Sequence, residues 1–297
     1  MKMNRSVGYK LLERNENLLS QVESSDHGDR KYDAQVIGII GCGTIAKIIT
    51  DFQKERNLDA DLKYFQDSDT SKAQNLASQA DGMFVQDVGD MLDEVDLVIE
   101  AVSTQIAVEI IPQILRKGKD IIVTSIDAFL DLEFKNQVKS IAFENNCRIY
   151  APSGDIAGLD GVKAASIGEI AGINLLIRNS PESLGISSGD ESLGIATDEE
   201  ILLFEGKAQD AVGKFPINLD IAAVLSIITD REVDLKIIAD PRVNHSYHEI
   251  RVTGDFGELE TITQNTNWAT DTKTSVLTAY SVIKLLENLN NNIKIGT

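Results

Sequence analysis

Residues Val36 to Ala46 read VIGIIGCGTIA, and this stretch narrows the folds open to the chain more than any other. Val36 to Ile40 is a short, nearly all-apolar run with a β-branched bias, the pattern of a strand covered on both faces in a parallel sheet. It breaks at once into Gly41-Cys42-Gly43-Thr44-Ile45-Ala46, which fits G-x-G-x-x-G/A. The first glycine allows a sharp turn, the next lets backbone approach a pyrophosphate, and Ala46 lets the following helix pack closely. That helix would offer unpaired N–H groups and the positive end of its dipole to an anion.

A glycine-rich turn alone also occurs as plain structure in many α/β proteins. Context adds weight here. The segment KIITDFQKERN predicts a helix, and Ala60 to Phe65 predicts a further strand leading to Asp67. Asp67 falls 21 positions after Ala46, where a ribose-binding acid is expected. Gly41, Gly43, Thr44, Ile45, Ala46 and Asp67 are therefore the expected dinucleotide contacts. A carboxylate at 67 accepts from ribose hydroxyls and repels a 2′-phosphate, favouring NAD, while Ser68 and Lys72 leave NADP possible.

Strands and helices are expected to alternate up to about Ala151. Helices are predicted over 44–56, 69–79, 105–117 and 130–145, and strands over 36–40, 60–66, 83–85, 96–101, 120–124 and 148–151. Ligands in such sheets bind beyond the carboxyl ends of the strands, which makes Glu100, Ala101, Ser125, Ser153 and Gly154 mouth positions. Past residue 155 the rhythm changes: a helix near 158–167, a strand over 173–178, helices around 205–212 and 218–229, then three strands without helices between them. Gly254-Asp255-Phe256-Gly257 reads as a hairpin turn. Thr274–Leu289 reads as a closing helix that returns to the first domain.

The chain is thus read as α/β: a Rossmann-type dinucleotide-binding domain (35–151 and 272–297) with a second α+β domain (152–271) of helices on a mixed or antiparallel sheet. Residues 1–34 form an N-terminal extension, with an amphipathic helix expected over 8–23, and 179–198 read as a surface loop.

Charge limits the partners. A formal net charge of −19 argues against nucleic acid and against an anionic membrane surface. Two cysteines make no disulfide framework, and with three histidines there is no zinc-like spacing, so no metal is expected. The first residues lack the apolar core of a signal peptide and no run approaches membrane-spanning length, which predicts a cytoplasmic protein.

Catalytic candidates are few. In strand 247–253, His248, Ile250 and Val252 share one face, so His248 reads either as a satisfied core histidine or as an acid–base group. Asn218 at a predicted helix start reads equally as an N-cap. Cys147 is expected to be buried and structural, Cys42 a small spacer, and Ser153 lacks a nucleophile's surroundings.

Taken together, IGIIGCGTIA (37–46), APSGDIAGLDGVKAA (151–165), LFEGKAQDAVGKFPINLDIAAVLSI (203–227), DPRVNHSYHEIRVTGDFGELE (240–260) and KTSVLTAYSVIKLL (273–286) resemble the L-aspartate dehydrogenases. The resemblance implies oxidation of L-aspartate to iminosuccinate with NAD or NADP, a link to NAD biosynthesis, and a homodimer. It implies that His248, in the N-x-x-x-H-E-I context from Asn244, is the catalytic base, and that Asn218 and Asp155 contact the cofactor. Asp155 stands where the family has alanine, and Asp127 where it has glycine. Lys163, Lys214 and Arg251 are the cations near the matched stretches, with solvated surface positions the plainer reading of each. A dehydrogenase of another amino or hydroxy acid, such as homoserine, and a dinucleotide-binding regulator without turnover are the alternatives.

Overall fold

The computed structural model describes residues 35–296 except 57, 59, 185, 187–198, 216, 218, 269, 270 and 294, with 56, 267, 268 and 271–273 described by backbone alone. The helix expected at 8–23 and most of the 179–198 loop lie outside the described residues.

Short apolar strands build the first sheet. β1 (Val36–Ile40), β4 (Leu97–Glu100) and β5 (Asp120–Val123) are buried along almost their whole length, as strands covered on both faces must be. With β2 (Asp61–Gln66), β3 (Met83–Phe84) and β6 (Ile149–Tyr150) they give the order β3-β2-β1-β4-β5-β6, every pair parallel. The crossovers are α1 (Thr44–Arg56), α2 (Thr70–Gln79), the single turn α3 (Gly89–Leu92), α4 (Thr104–Arg116) and α5 (Leu132–Glu144). Side chains fix two of their starts: Asp69 accepts from the Ser71 and Lys72 N–H groups, and Asp131 from those of Glu133 and Phe134. A 3-10 turn, Ile126–Leu130, occupies the approach to α5, so that helix begins two residues later than expected.

The other large sheet is mixed, order β11-β10-β7-β9-β8. After α6 (Leu159–Ala165) come β7 (Ile170–Asn179) and β8 (Ile201–Lys207), then α7 (Ala208–Ala211), α8 (Asp220–Thr229), β9 (Asp234–Ala239), β10 (Ser246–Gly254) and β11 (Gly257–Asn265). β7 and β9 run parallel and the other pairs antiparallel. The helix expected around 205–212 is corrected: strand β8 covers its first part and only one turn, α7, is helical. β8 is an edge strand with a register shift between Leu202 and Phe204, so its sequence lacks the clean alternation that marks a strand.

β12 (Asn267–Trp268) and β13 (Asp271–Ser275) then form a small ribbon leading into α9 (Val276–Asn290). Ala279, Val282, Ile283 and Leu286 of α9 are buried in one cluster with Ile48 and Ile49 of α1 and with Ile39 and Ile99 of the parallel sheet. The closing helix thus completes the core beside the first strand. Among the described residues no helix is long and apolar enough to cross a membrane.

Candidate active site

The glycine turn is held from both sides. Gly41 has φ +90°, and a Cβ there would stand 2.2 Å from the Ala101 carbonyl oxygen, so only glycine fits. The Asp67 carboxylate at the end of β2 accepts from the Cys42 N–H at 2.6 Å and from the Asp69 N–H at 2.8 Å, bracing the loop. Gly43 faces open space: a Cβ there would meet no atom within 4 Å beyond its chain neighbours. Ala46 is fully buried against the sheet. The Cys42 thiol is pushed up to about 12 by burial and by Asp67, which keeps it neutral and unreactive. Cys147 is buried too, its Sγ 3.5 Å from the Leu115 carbonyl, and is structural.

Beyond Gly43 lies a cavity of about 380 Å³, a size suited to a small ligand. Gly43, Thr44 and Ile45 line one end, at the N-terminus of α1. His248, Ser246, Asn179 and Ser183 line the other, and Thr274, Ser275 and Thr278 enter from the start of α9. The parallel sheet and the mixed sheet therefore share one cavity. Among the described residues no Lys or Arg lines it. Arg251 is exposed and pairs with Glu258 at 2.9 Å, Lys214 sits over the Phe204 ring, and Lys163 is exposed on α6.

His248 is 6% exposed on the inner face of β10, between Ile177 of β7 and Thr263 of β11. Its Nδ1 is buried without a hydrogen-bond partner among the described residues, and Asp155 Oδ2 lies 3.6 Å away. Burial pulls the imidazole below its ordinary value while Asp155 opposes that pull, so the ring is neutral at neutral pH.

Acids gather at the floor. Glu100, fully buried at the end of β4, accepts from the Val102, Thr124 and Ser125 N–H groups. The Ser125 hydroxyl lies 2.9 Å from Glu100 Oε1 and donates to the Val102 carbonyl at 2.6 Å. A hydroxyl has one proton, so both contacts are satisfied when Glu100 is protonated, in keeping with burial raising it. Asp127 accepts from the Thr104 hydroxyl at 2.7 Å, and its N–H donates to Asp220 Oδ1 at 2.9 Å. Burial raises Asp127, and burial together with Asp127 raises Asp220 well above its ordinary value. Asp155 completes the group.

The segment 41–152 matches the family model "Homoserine dehydrogenase, NAD binding domain", and 160–289 matches "Aspartate dehydrogenase, C-terminal". The L-aspartate dehydrogenase of Methanothermobacter thermautotrophicus is 48% identical over 88% of this chain and 98% of that protein. The chain belongs to the L-aspartate dehydrogenase family. The family enzyme of Methanosarcina barkeri is 37% identical over 88% of this chain and 99% of its own length. The crystal structure of aspartate dehydrogenase from Thermotoga maritima superposes with a TM-score of 0.71 at 25% identity, covering 88% of this chain and 99% of that one.

The structure brings Gly43, Thr44, Ile45, Asp155 and His248 to one cavity, with Gly41, Ala46 and Asp67 shaping the loop beneath it. Asn218 lies outside the described residues; α8 has Leu219 at its N-cap position. Ala101 and Ser125 line the cavity as expected, whereas Glu100 lies beneath it, and Ser153 and Gly154 line a smaller neighbouring hollow. Sequence reasoning passed over Asp220, Asn179, Ser183 and Ser246. Asp220 had a signal, an acid opening an otherwise apolar helix; the others had none. Among the described residues no three His, Cys, Asp or Glu side chains are grouped to hold a metal ion.

Proposed function

We propose that this chain oxidises L-aspartate to 2-iminosuccinate with NAD and, in reverse, aminates oxaloacetate reductively. The reading is carried by the 48% identity to the Methanothermobacter L-aspartate dehydrogenase across nearly that whole protein. The loop suits a dinucleotide: its diphosphate would lie over Gly43, Thr44 and Ile45, and Asp67 would meet the ribose, which supports NAD ahead of NADP. Asn218, just ahead of α8, completes the proposed cofactor contacts. When bound, the nicotinamide supplies the acceptor for hydride leaving Cα.

L-Aspartate arrives as an ammonium, and no hydride leaves Cα until the nitrogen has given up a proton. His248 takes it. A ring kept neutral by burial is a base at rest, and its place on a rigid strand fixes its aim. Neutral donors, Asn179, Ser183 and Ser246, together with the positive end of α9 at Ser275, meet the substrate carboxylates in place of cations.

Family membership further supports a cytoplasmic homodimer whose product enters NAD biosynthesis. Residues 35–151 and 272–297 would form the cofactor domain, 152–271 the substrate domain, and 1–34 an extension; the separate parallel and mixed sheets support that division.

The test is nicotinamide absorbance with L-aspartate, and with oxaloacetate plus ammonium, using L-homoserine as the control substrate. NAD binding without turnover in either direction would sink the proposal, as would a preference for homoserine. His248→Ala is expected to lower kcat by about 10²–10⁴-fold with the NAD dissociation constant unchanged.

A further inference from the structure

Among the described residues, Asp155 is the acid whose carboxylate comes within 4 Å of the unpartnered ring nitrogen of His248. The backbone of Gly154 and Asp155 is tied down at two points. Asn265 at the end of β11 donates to the Asp155 carbonyl at 2.6 Å, and the Gly154 N–H donates to the Ser281 hydroxyl of α9 at 3.1 Å. A third tie, from the Thr261 hydroxyl to the Ala157 carbonyl at 3.2 Å, holds the loop just beyond. A carboxylate on so pinned a loop, 3.6 Å from Nδ1, has the place of a group that orients an imidazole. A small closure would make the hydrogen bond.

We propose that Asp155 is the positioning residue of His248: it holds Nδ1–H, turns Nε2 toward the substrate, and offsets the positive charge the ring gains. The step is a single proton transfer. The substrate ammonium gives its proton to Nε2, the N–H bond breaks as the new one forms, and Nδ1–H stays directed at the carboxylate. This role rests on the dehydrogenase reading for its purpose and departs from the cofactor contact that the family resemblance implies for position 155.

Other groups around the ring leave the role to Asp155. β7 presents Ile177 and β11 presents Thr263, neither of which titrates. α9 presents Ser275 and Thr278. From α8 comes Asp220, with Asp127 and Glu100 behind it, all three held toward their neutral forms by burial.

The decisive experiment is the titration of His248 by NMR in the apo-protein, before and after Asp155→Asn, with His248→Gln assigning the signal among three histidines. The expected result is a lower midpoint in the variant, because the asparagine no longer favours the charged ring. This readout needs no turnover, so it stands or falls separately from the proposed reaction. In kinetics, Asp155→Asn is expected to lower kcat by about ten- to a thousandfold and to move the acid limb of kcat/KM to lower pH, with the KM for NAD unchanged. Asp155→Glu, which retains the carboxylate, should recover part of kcat if the fold is intact. An unchanged His248 midpoint overturns the proposal. A raised KM for NAD with normal kcat and pH profile overturns it too, in favour of a cofactor contact.

Discussion

At Gly41 a single methyl group is too much, whereas at Gly43 it is merely in the way of a ligand. Gly41 has a left-handed backbone and a carbonyl oxygen 2.2 Å from any Cβ; Gly43 borders the open cavity. Gly41→Ala is therefore expected to destabilise the fold by about 1–3 kcal/mol or more. Gly43→Ala should leave the melting temperature unchanged and weaken NAD binding. Thermal melts and NAD titrations of both variants check this, and a Gly43 variant that unfolds early while binding NAD normally would contradict it. Both glycines were legible in the sequence because a tight turn demands a particular residue type. His248 was only half legible: alternation along its strand placed it on the buried face, but burial suits a core histidine as well as a base. What favours the proposed base is the cavity beside it and, among the described residues, the absence of a partner at Nδ1. Neither can be read from one strand's sequence, since the walls come from β7, β10, α8 and α9.

Elements, more than residues, make the acid floor. Asp127 belongs to the turn after β5 and Asp220 opens α8, and the Asp127 N–H to Asp220 Oδ1 bond ties the two sheets' elements together. Asp220 lies above its ordinary value in the folded chain, so the unfolded chain releases its proton first. The stability it supports is complete below the ordinary carboxylate value of about 4 and drains away as pH rises toward the folded value. Asp220→Asn keeps an oxygen for the Asp127 N–H and removes this dependence. The melting temperature of the unaltered chain should therefore gain on that of the variant as pH falls from neutral toward about 5. Parallel melting curves across that range would refute the reading. The alternating elements of residues 36–151 were legible because β-branched runs and helical periods differ in kind. β8 was not, because a half-covered edge strand carries four apolar residues in a row, Ile201 to Phe204, and then runs straight into a helical turn.

The whole molecule carries a net charge of −19, yet its proposed substrate and cofactor are anions, and among the described residues no cation lines the cavity. Encounter is opposed by the long-range field, and attraction begins only at helix ends and hydroxyls. Salt screens the former over about 10 Å at 0.1 M and barely touches the latter. kcat/KM for L-aspartate should accordingly rise with ionic strength from a low starting value before levelling off. A monotonic fall, as expected where lysines or arginines hold the substrate, would contradict this. Val282, Ile283 and Leu286 fill the core beside β1, and burial of each such side chain stabilises by about 1.5–3 kcal/mol. α9 follows β1 by most of the described chain, so the flank of the parallel sheet that it covers stays open until α9 docks. A fragment that stops before α9 would expose that apolar flank and present a sticky surface to chaperones.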